Sequence, residues 1–275
     1  MLKSEAIKIL SEAGIPYPAD EVRQIFTHIG KIPTYKLVGG DIETDDVRVA
    51  DAVRRRASRE PLQYIIGEVE FWHESYEVTP DCLIPRPDTE LLVEYAVAHI
   101  PSGKAFVDLC TGSGCVAIST LASTDGTRAY ATDISEATLC LAKRNAIRNN
   151  VAERVSFSIA DALASGSLSL PHGERIYAVL SNPPYVRDGV YPELAPEIFH
   201  EPRRAFVGGE DGCDFYRAIT REYKDIIDKD GFIAYEIGYD QSDALGKIAE
   251  SCSMTSEILC DLSGNPRVAV LRHKQ

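Results

Sequence analysis

The sequence predicts an α/β protein, with a mostly parallel sheet covered by helices and closed by an antiparallel last strand. A small all-helical region and a β-hairpin come before the sheet. Three observations carry that prediction. The first sixty residues show only helical periodicity; from Ala105 onward short β-prone runs alternate with helical stretches; and the last two β-prone runs are joined by a turn too short for a parallel crossover.

The 275 residues give room for one to two domains and a sizeable core. With 44% hydrophobic and 26% charged residues and no repeat or low-complexity tract, the composition is that of an ordinary globular chain. Twenty-nine basic residues against forty-two acidic leave a net charge of -13, which repels a phosphate backbone at long range and points away from a direct nucleic-acid substrate. No run nears the roughly 18 apolar residues of a membrane span, and MLKSEAIKIL lacks a signal-peptide core, so the expectation is a cytoplasmic protein without membrane contact. Seven cysteines at 82, 110, 115, 140, 213, 252 and 260, none in a CxxC, read as reduced and mostly buried.

In chain order, Ala19, Val22, Ile25, Phe26 and Ile29 keep helical spacing between Pro18 and Gly30. A second amphipathic stretch follows Thr44 with Val47, Ala50, Val53 and Ala57, and its Arg54, Arg55, Arg56 and Arg59 read as a solvated face. Glu60-Pro61 ends the helical region. Val69–Trp72 and Ser75–Val78 then predict a hairpin. Strands are expected at AFVDL, RAYATD, VSFSIAD, IYAVLSN and GFIAYEIG, with helices to about 122, from Ser135 to about Asn149 and from Asp214 to Ile227. SEILCD and RVAVLR, joined at Ser263–Pro266, supply the antiparallel end. The expected division is 1–62 helical, 63–84 hairpin linker and 85–275 α/β.

The chemistry gathers where strands end. After AFVDL comes Asp108-Leu109-Cys110-Thr111-Gly112-Ser113-Gly114, and Gly112, Gly114 and Ala117 satisfy G-x-G-x-x-G/A. Small residues there let backbone approach a ligand and a helix pack on its strand. Asp133, 19 residues after Gly114, closes the second strand where a carboxylate would take ribose hydroxyls, and Asp161 with Ala162 closes the third. After the fourth strand stands Asn182-Pro183-Pro184-Tyr185. Consecutive prolines fix the chain and leave carbonyls free, the Asn182 carboxamide adds an acceptor and Tyr185 a flat surface, a set that suits a planar NH2 group. Such nitrogens are poor nucleophiles, and acceptors that hold both hydrogens aim the lone pair.

These residues resemble class I S-adenosylmethionine-dependent methyltransferases, in which NPPY marks methylation of glutamine, adenine and related amino groups. A narrower similarity lies in Glu60–Gly67, Glu70-Phe71-Trp72 and above all Leu83-Ile84-Pro85-Arg86-Pro87-Asp88-Thr89-Glu90. With Glu201-Pro202, Ala205, Gly208–Gly212 and Asp261–Val268, they resemble the protein-(glutamine-N5) methyltransferases of peptide chain release factors over nearly the whole chain. The resemblance implies a Rossmann-like methyltransferase domain behind a helical docking domain, S-adenosyl-L-methionine as cofactor and a release factor as protein substrate. It implies that Asp108, Cys110 to Gly114, Asp133, Asp161 and Ala162 hold the cofactor, that Asn182 touches cofactor and substrate, and that Pro183, Pro184 and Tyr185 complete a glutamine site. Cys110 departs from a usual glycine, Ala162 from a frequent aromatic residue on the adenine, and Asn265-Pro266-Arg267 from a usual acidic residue. An adenine-N6 methyltransferase could use the same NPPY chemistry, a nicotinamide-dependent oxidoreductase the same glycine loop and Asp133, and a non-catalytic cofactor-binding module is the third reading.

Overall fold

A computed structural model describes the chain except residues 165, 169, 172, 173 and 275. Its contacts divide it into two compact units, Met1–Glu68 with Ala195–His200, and Val69–Leu194 with Glu201–Gln275.

The first unit is helical: α1 (Lys3–Glu12), α2 (Pro18–His28), α3 (Val47–Ala57) and the short α4 (Leu62–Ile66). Proline opens α2, where its missing N–H costs no intrahelical bond, and the Asp46 carboxylate caps α3 by accepting from Arg48 N at 2.9 Å. Helix α4 starts directly after Glu60-Pro61, so helical structure extends five residues beyond the end read from the sequence. The core gathers Ala6, Leu10, Val22, Ile25, Phe26, Val49 and Val53.

The buried stripe of α3 differs from the one predicted. It runs through Val49, Ala52, Val53 and Arg56, while Val47 is 78% exposed. Arg56 is only 4% exposed. Its guanidinium meets Glu21 at 2.5 Å and Glu197 at 3.1 Å, and Arg59 shares Glu197 at 3.0 Å. The arginine run is therefore a solvated face only in part: Arg54 stays exposed, whereas Arg56 is a buried charge that two carboxylates make tolerable.

Strands β1 (Glu68–Phe71) and β2 (Glu74–Glu77) form the expected hairpin, and in the second unit α5 (Glu90–His99) leads into the sheet. There follow β3 (Ala105–Leu109), α6 (Cys115–Ala122), β4 (Arg128–Asp133), α7 (Glu136–Arg148), β5 (Val155–Ile159), β6 (Ile176–Ser181), α8 (Asp214–Tyr223), β7 (Ile227–Glu236), α9 (Ser242–Ser251), β8 (Met254–Cys260) and β9 (Pro266–His273). The sheet order is β5-β4-β3-β6-β7-β9-β8. Strands β3 to β7 pair in parallel, and β9 is antiparallel to both neighbours, to β8 as the short turn between them requires. Successive residues of β3 serve opposite faces: Phe106 packs with Leu180 and Phe232, and Val107 with Val179 and Ile233. All five β3 residues are buried because helices cover both faces.

Helix α8 stops at Tyr223, and Ile227, expected at its end, opens β7. The reason is the ladder: Ile227 pairs with Ile176, and the register then shifts before Phe232 meets Ala178. Asp228, inside that irregular stretch, takes Lys104 at 2.9 Å and Arg175 at 3.1 Å. Of the seven cysteines only 82, 115 and 213 are buried, fewer than the sequence suggested. Among the described residues no helix is long and apolar enough to cross a membrane.

Candidate active site

The strand order reverses at β3, with β4 and β5 on one side and β6 and β7 on the other. At such a switch point the crevice beyond the carboxyl ends of the strands takes ligands. A cavity of about 260 Å³ lies there.

Its floor is the loop after β3. Cys110, Gly112 and Gly114 all take positive φ (58°, 56° and 85°), so the chain turns sharply enough to expose backbone between strand and helix. A Cβ at Gly112 would meet nothing nearer than 4.0 Å, which leaves this residue open to the cavity it lines. Gly114 serves packing instead: a Cβ there would stand 2.8 Å from Ile118 Cδ1 and 3.3 Å from Ala142 Cβ, and the residue lies outside the cavity lining. Asp108 holds the loop, its Oδ2 accepting from Thr111 Oγ1 at 2.6 Å and Ala117 N at 3.2 Å. Burial pushes its carboxyl up to about 7, against the pull of those two hydrogen bonds. Asp133 ties the end of β4 to the loop by accepting from Gly112 N (3.1 Å) and Ser135 N (3.0 Å). It too is raised by burial, partly offset by those backbone donors and by Arg204. Asp161 Oδ1 caps the turn at Leu163 N, 2.9 Å away.

Asp108, Cys110, Thr111, Gly112, Ser113, Asp133, Asp161, Ala162, Asn182 and Pro184 all line this one cavity. Around Ala162 the wall is continued by Ile134, Leu163 and Phe215, aliphatic and aromatic surface in place of a single ring. Tyr185 instead lines an adjoining recess of about 60 Å³, which shares Leu83, Arg86, Asn182 and Ala205 with the larger cavity. Pro183 lines neither and is buried behind them.

Sequence reasoning missed the support of Asn182 and Tyr185. Asn182 Nδ2 donates to Thr89 Oγ1 at 3.0 Å; Thr89 donates to Glu236 Oε2 at 2.5 Å; and Tyr185 OH donates to Glu236 Oε1 at 2.9 Å. Glu236 is 1% exposed, and burial pushes its carboxyl above the ordinary range while the Thr89 and Tyr185 hydroxyls pull it back. Gln241 Nε2 donates to Tyr185 O at 3.0 Å. Behind the loop, a Cβ at Gly208 would overlap the Pro184 carbonyl oxygen and come within 2.9 Å of Tyr185 Cα. Arg86, in both linings, pairs with the buried Glu201, which also accepts from Ile84 N at 3.0 Å. The available signal was an acid inside the otherwise uncharged run GFIAYEIG, since a buried Glu236 demands partners.

The cavity fits the cofactor that the sequence resemblance implies. Among the described residues, Asp108 Oδ1 and Ser113 Oγ are buried in this lining with no hydrogen-bond partner, so polar groups of a ligand have atoms to meet. Carboxylates suit ribose hydroxyls and a cationic centre, and Ile134, Ala162 and Leu163 suit a base.

Comparison with known proteins agrees. Family models match residues 2–67 (PrmC N-terminal domain) and 87–210 (Methyltransferase small domain). The release factor glutamine methyltransferase of Cereibacter sphaeroides is 35% identical over 97% of this chain and 95% of its own length. That of Moorella thermoacetica is 36% identical, covering 96% and 94%. A methyltransferase from Pyrococcus furiosus shares the fold, with a TM-score of 0.53 at 17% identity over 71% of this chain and 86% of that one. The chain is an enzyme, a methyltransferase that uses S-adenosyl-L-methionine. Full-length identity above a third, on a cavity of this construction, makes it a member of the release factor glutamine methyltransferase family.

Proposed function

We propose that the chain methylates the side-chain amide nitrogen (N5) of a glutamine in a glycine-flanked loop of peptide chain release factors. The observation that carries this reading is the recess of about 60 Å³ beside the main cavity, with Asn182 in both linings. A slot of that size accepts one extended side chain, and Asn182 stands at its junction with the cofactor cavity.

In this reading Asp133 takes the ribose hydroxyls, Asp161 and Ala162 flank the base, and Asp108 with the Cys110–Gly114 loop holds the amino-acid portion. The bound cofactor supplies a methyl group already activated on a sulfonium. Asn182 Oδ1 and the Pro183 carbonyl accept the two amide hydrogens, so the nitrogen lone pair is aimed at that methyl, and Tyr185 flanks the amide. No strong general base is required, because the attacking nitrogen loses its proton during or after transfer. Glu236 is in any case unsuited to that role, since both its oxygens already accept hydroxyl hydrogens.

Residues 1–62 would dock the protein substrate, 63–84 link, and 85–275 carry the chemistry, in the cytoplasm. The net charge of -13 supports a protein acceptor over the adenine of a nucleic acid, the second reading that NPPY allows. Mass spectrometry of a purified release factor after reaction should find one methyl group on the glutamine of its glycine-flanked loop. A methyl on another residue, on nucleic-acid adenine, or nowhere would overturn the assignment.

A further inference from the structure

Asn182 is useful to an NH2 group only if its carboxamide presents oxygen rather than nitrogen, and a carboxamide can fit either way round. The structure contains a device that decides between them. Glu236, at the end of β7, is buried, and both its oxygens accept hydroxyl hydrogens. One of its oxygens takes the single hydroxyl hydrogen of Thr89. With that hydrogen committed, Thr89 Oγ1 can only accept from Asn182, so the Asn182 NH2 must turn toward Thr89, which it meets at 3.0 Å. The carboxamide oxygen is thereby left for the acceptor. The other Glu236 oxygen holds the Tyr185 hydroxyl, so one buried acid orients both polar ends of the NPPY segment. Thr89 is itself only 1% exposed, and this leaves its hydroxyl little room to reorient.

We propose that Thr89, polarised by Glu236, is the positioning residue that sets the orientation of the Asn182 carboxamide and so lets the site hold an amide NH2. This rests on the reading that Asn182 receives the acceptor. Thr89 also lines the main cavity, but its hydroxyl is spent on Glu236 and Asn182. It works through the direction of one hydrogen bond.

The test compares Thr89→Val, which keeps the shape and loses the hydroxyl, with Thr89→Ser, which keeps the hydroxyl and loses a methyl group. Turnover is measured on an intact release factor, and S-adenosyl-L-methionine affinity by calorimetry. Val should lower kcat by about 10- to 100-fold, the scale of a misplaced reacting group, with cofactor affinity within about twofold of the parent. Ser should recover most of the loss. A packing role would give the opposite ranking, and that ranking, or full turnover in Val, would overturn the proposal. If Val fails to fold, Thr89→Ala provides the hydroxyl-free variant and must show the same loss against Ser. In an Asn182→Ala background, Thr89→Val should cost nothing further, because nothing remains to be oriented; a full additional loss there would also overturn it. Unchanged turnover in Asn182→Ala alone would instead remove the functional reading itself, so the two failures are distinguishable.

Discussion

On one side the cavity is walled by backbone that leaves β3 and β4 and is tied by neighbours: Asp108 to Thr111 and Ala117, Asp133 to Gly112 and Ser135. On the other side, the segment after β6 is held by residues distant in sequence. Thr89 lies 93 residues from Asn182, Glu236 and Gln241 lie 51 and 56 from Tyr185, and the Gly208 backbone packs against Pro184. The first side is an almost local structure that folding of one βαβ unit would complete. The second exists only when β6, β7 and the segments around 89 and 208 have assembled. Binding and chemistry should therefore respond separately to substitution on the two sides.

The largest separation is expected at Gly208. An Ala Cβ would overlap the Pro184 carbonyl oxygen and crowd Tyr185 Cα at 2.9 Å, both backbone atoms that cannot swing aside. Displacing NPPY by a fraction of an ångström should reduce turnover by about 100-fold, with little change in cofactor affinity. Steady-state kinetics beside calorimetry checks this. An equal fall in both quantities would mean that the two sides are mechanically one.

Asp133→Ala addresses the opposite side. Losing hydrogen bonds to a charged acceptor should weaken S-adenosyl-L-methionine binding by about 1.5 to 3 kcal/mol, while turnover at saturating cofactor changes far less. If calorimetry showed parent-like affinity, Asp133 would be a structural tie between β4 and the loop and no more.

The same contrast explains what was legible in the sequence. The glycine loop and Asp133 could be picked out directly because their ties run to near neighbours and to strand ends that alternation reveals. NPPY was legible as a string, yet its support was not: Thr89 stood inside a quoted motif without a role, and Glu236 inside a run read as strand. Both act through partners that only the sheet brings together. Arg56 was misread for a related reason. A stripe through Val47 and Ala50 puts it toward solvent, and the stripe chosen by packing, Val49, Ala52 and Val53, turns it inward onto Glu21 and Glu197.

A smaller effect separates two glycines only two positions apart. Gly114→Ala forces a Cβ to 2.8 Å from Ile118 Cδ1 at φ 85° and should cost about 1 to 3 kcal/mol of stability by overpacking and backbone strain. Gly112→Ala meets no atom nearer than 4.0 Å, so its stability cost is limited to about 1 to 2 kcal/mol of positive-φ strain, and its methyl group should reduce cofactor affinity instead. Denaturant titration and calorimetry on both variants should rank them oppositely, and the same ranking in both measurements would erase the distinction between packing and lining glycines.

The smallest effect concerns Asp108, whose carboxyl is pushed up to about 7 by burial and whose Oδ1 has no partner. Below that pH it is neutral in the folded enzyme; above it, it is a carboxylate that favours a cationic ligand. Cofactor affinity should therefore rise with pH, by about fourfold between roughly pH 6.5 and 8 for a single group titrating near 7. Stability runs the other way. The folded state keeps a proton that the unfolded chain releases from about pH 4, so the Asp108 contribution falls as pH rises from about 4 to about 7. Asp108→Asn is a clean control, because one carboxamide oxygen can still accept from Thr111 and Ala117 while the NH2 occupies the position of the unpartnered atom. It should flatten both slopes at once. An affinity slope that persists in Asp108→Asn would assign the titration to another group and leave Asp108 as a scaffold for the loop.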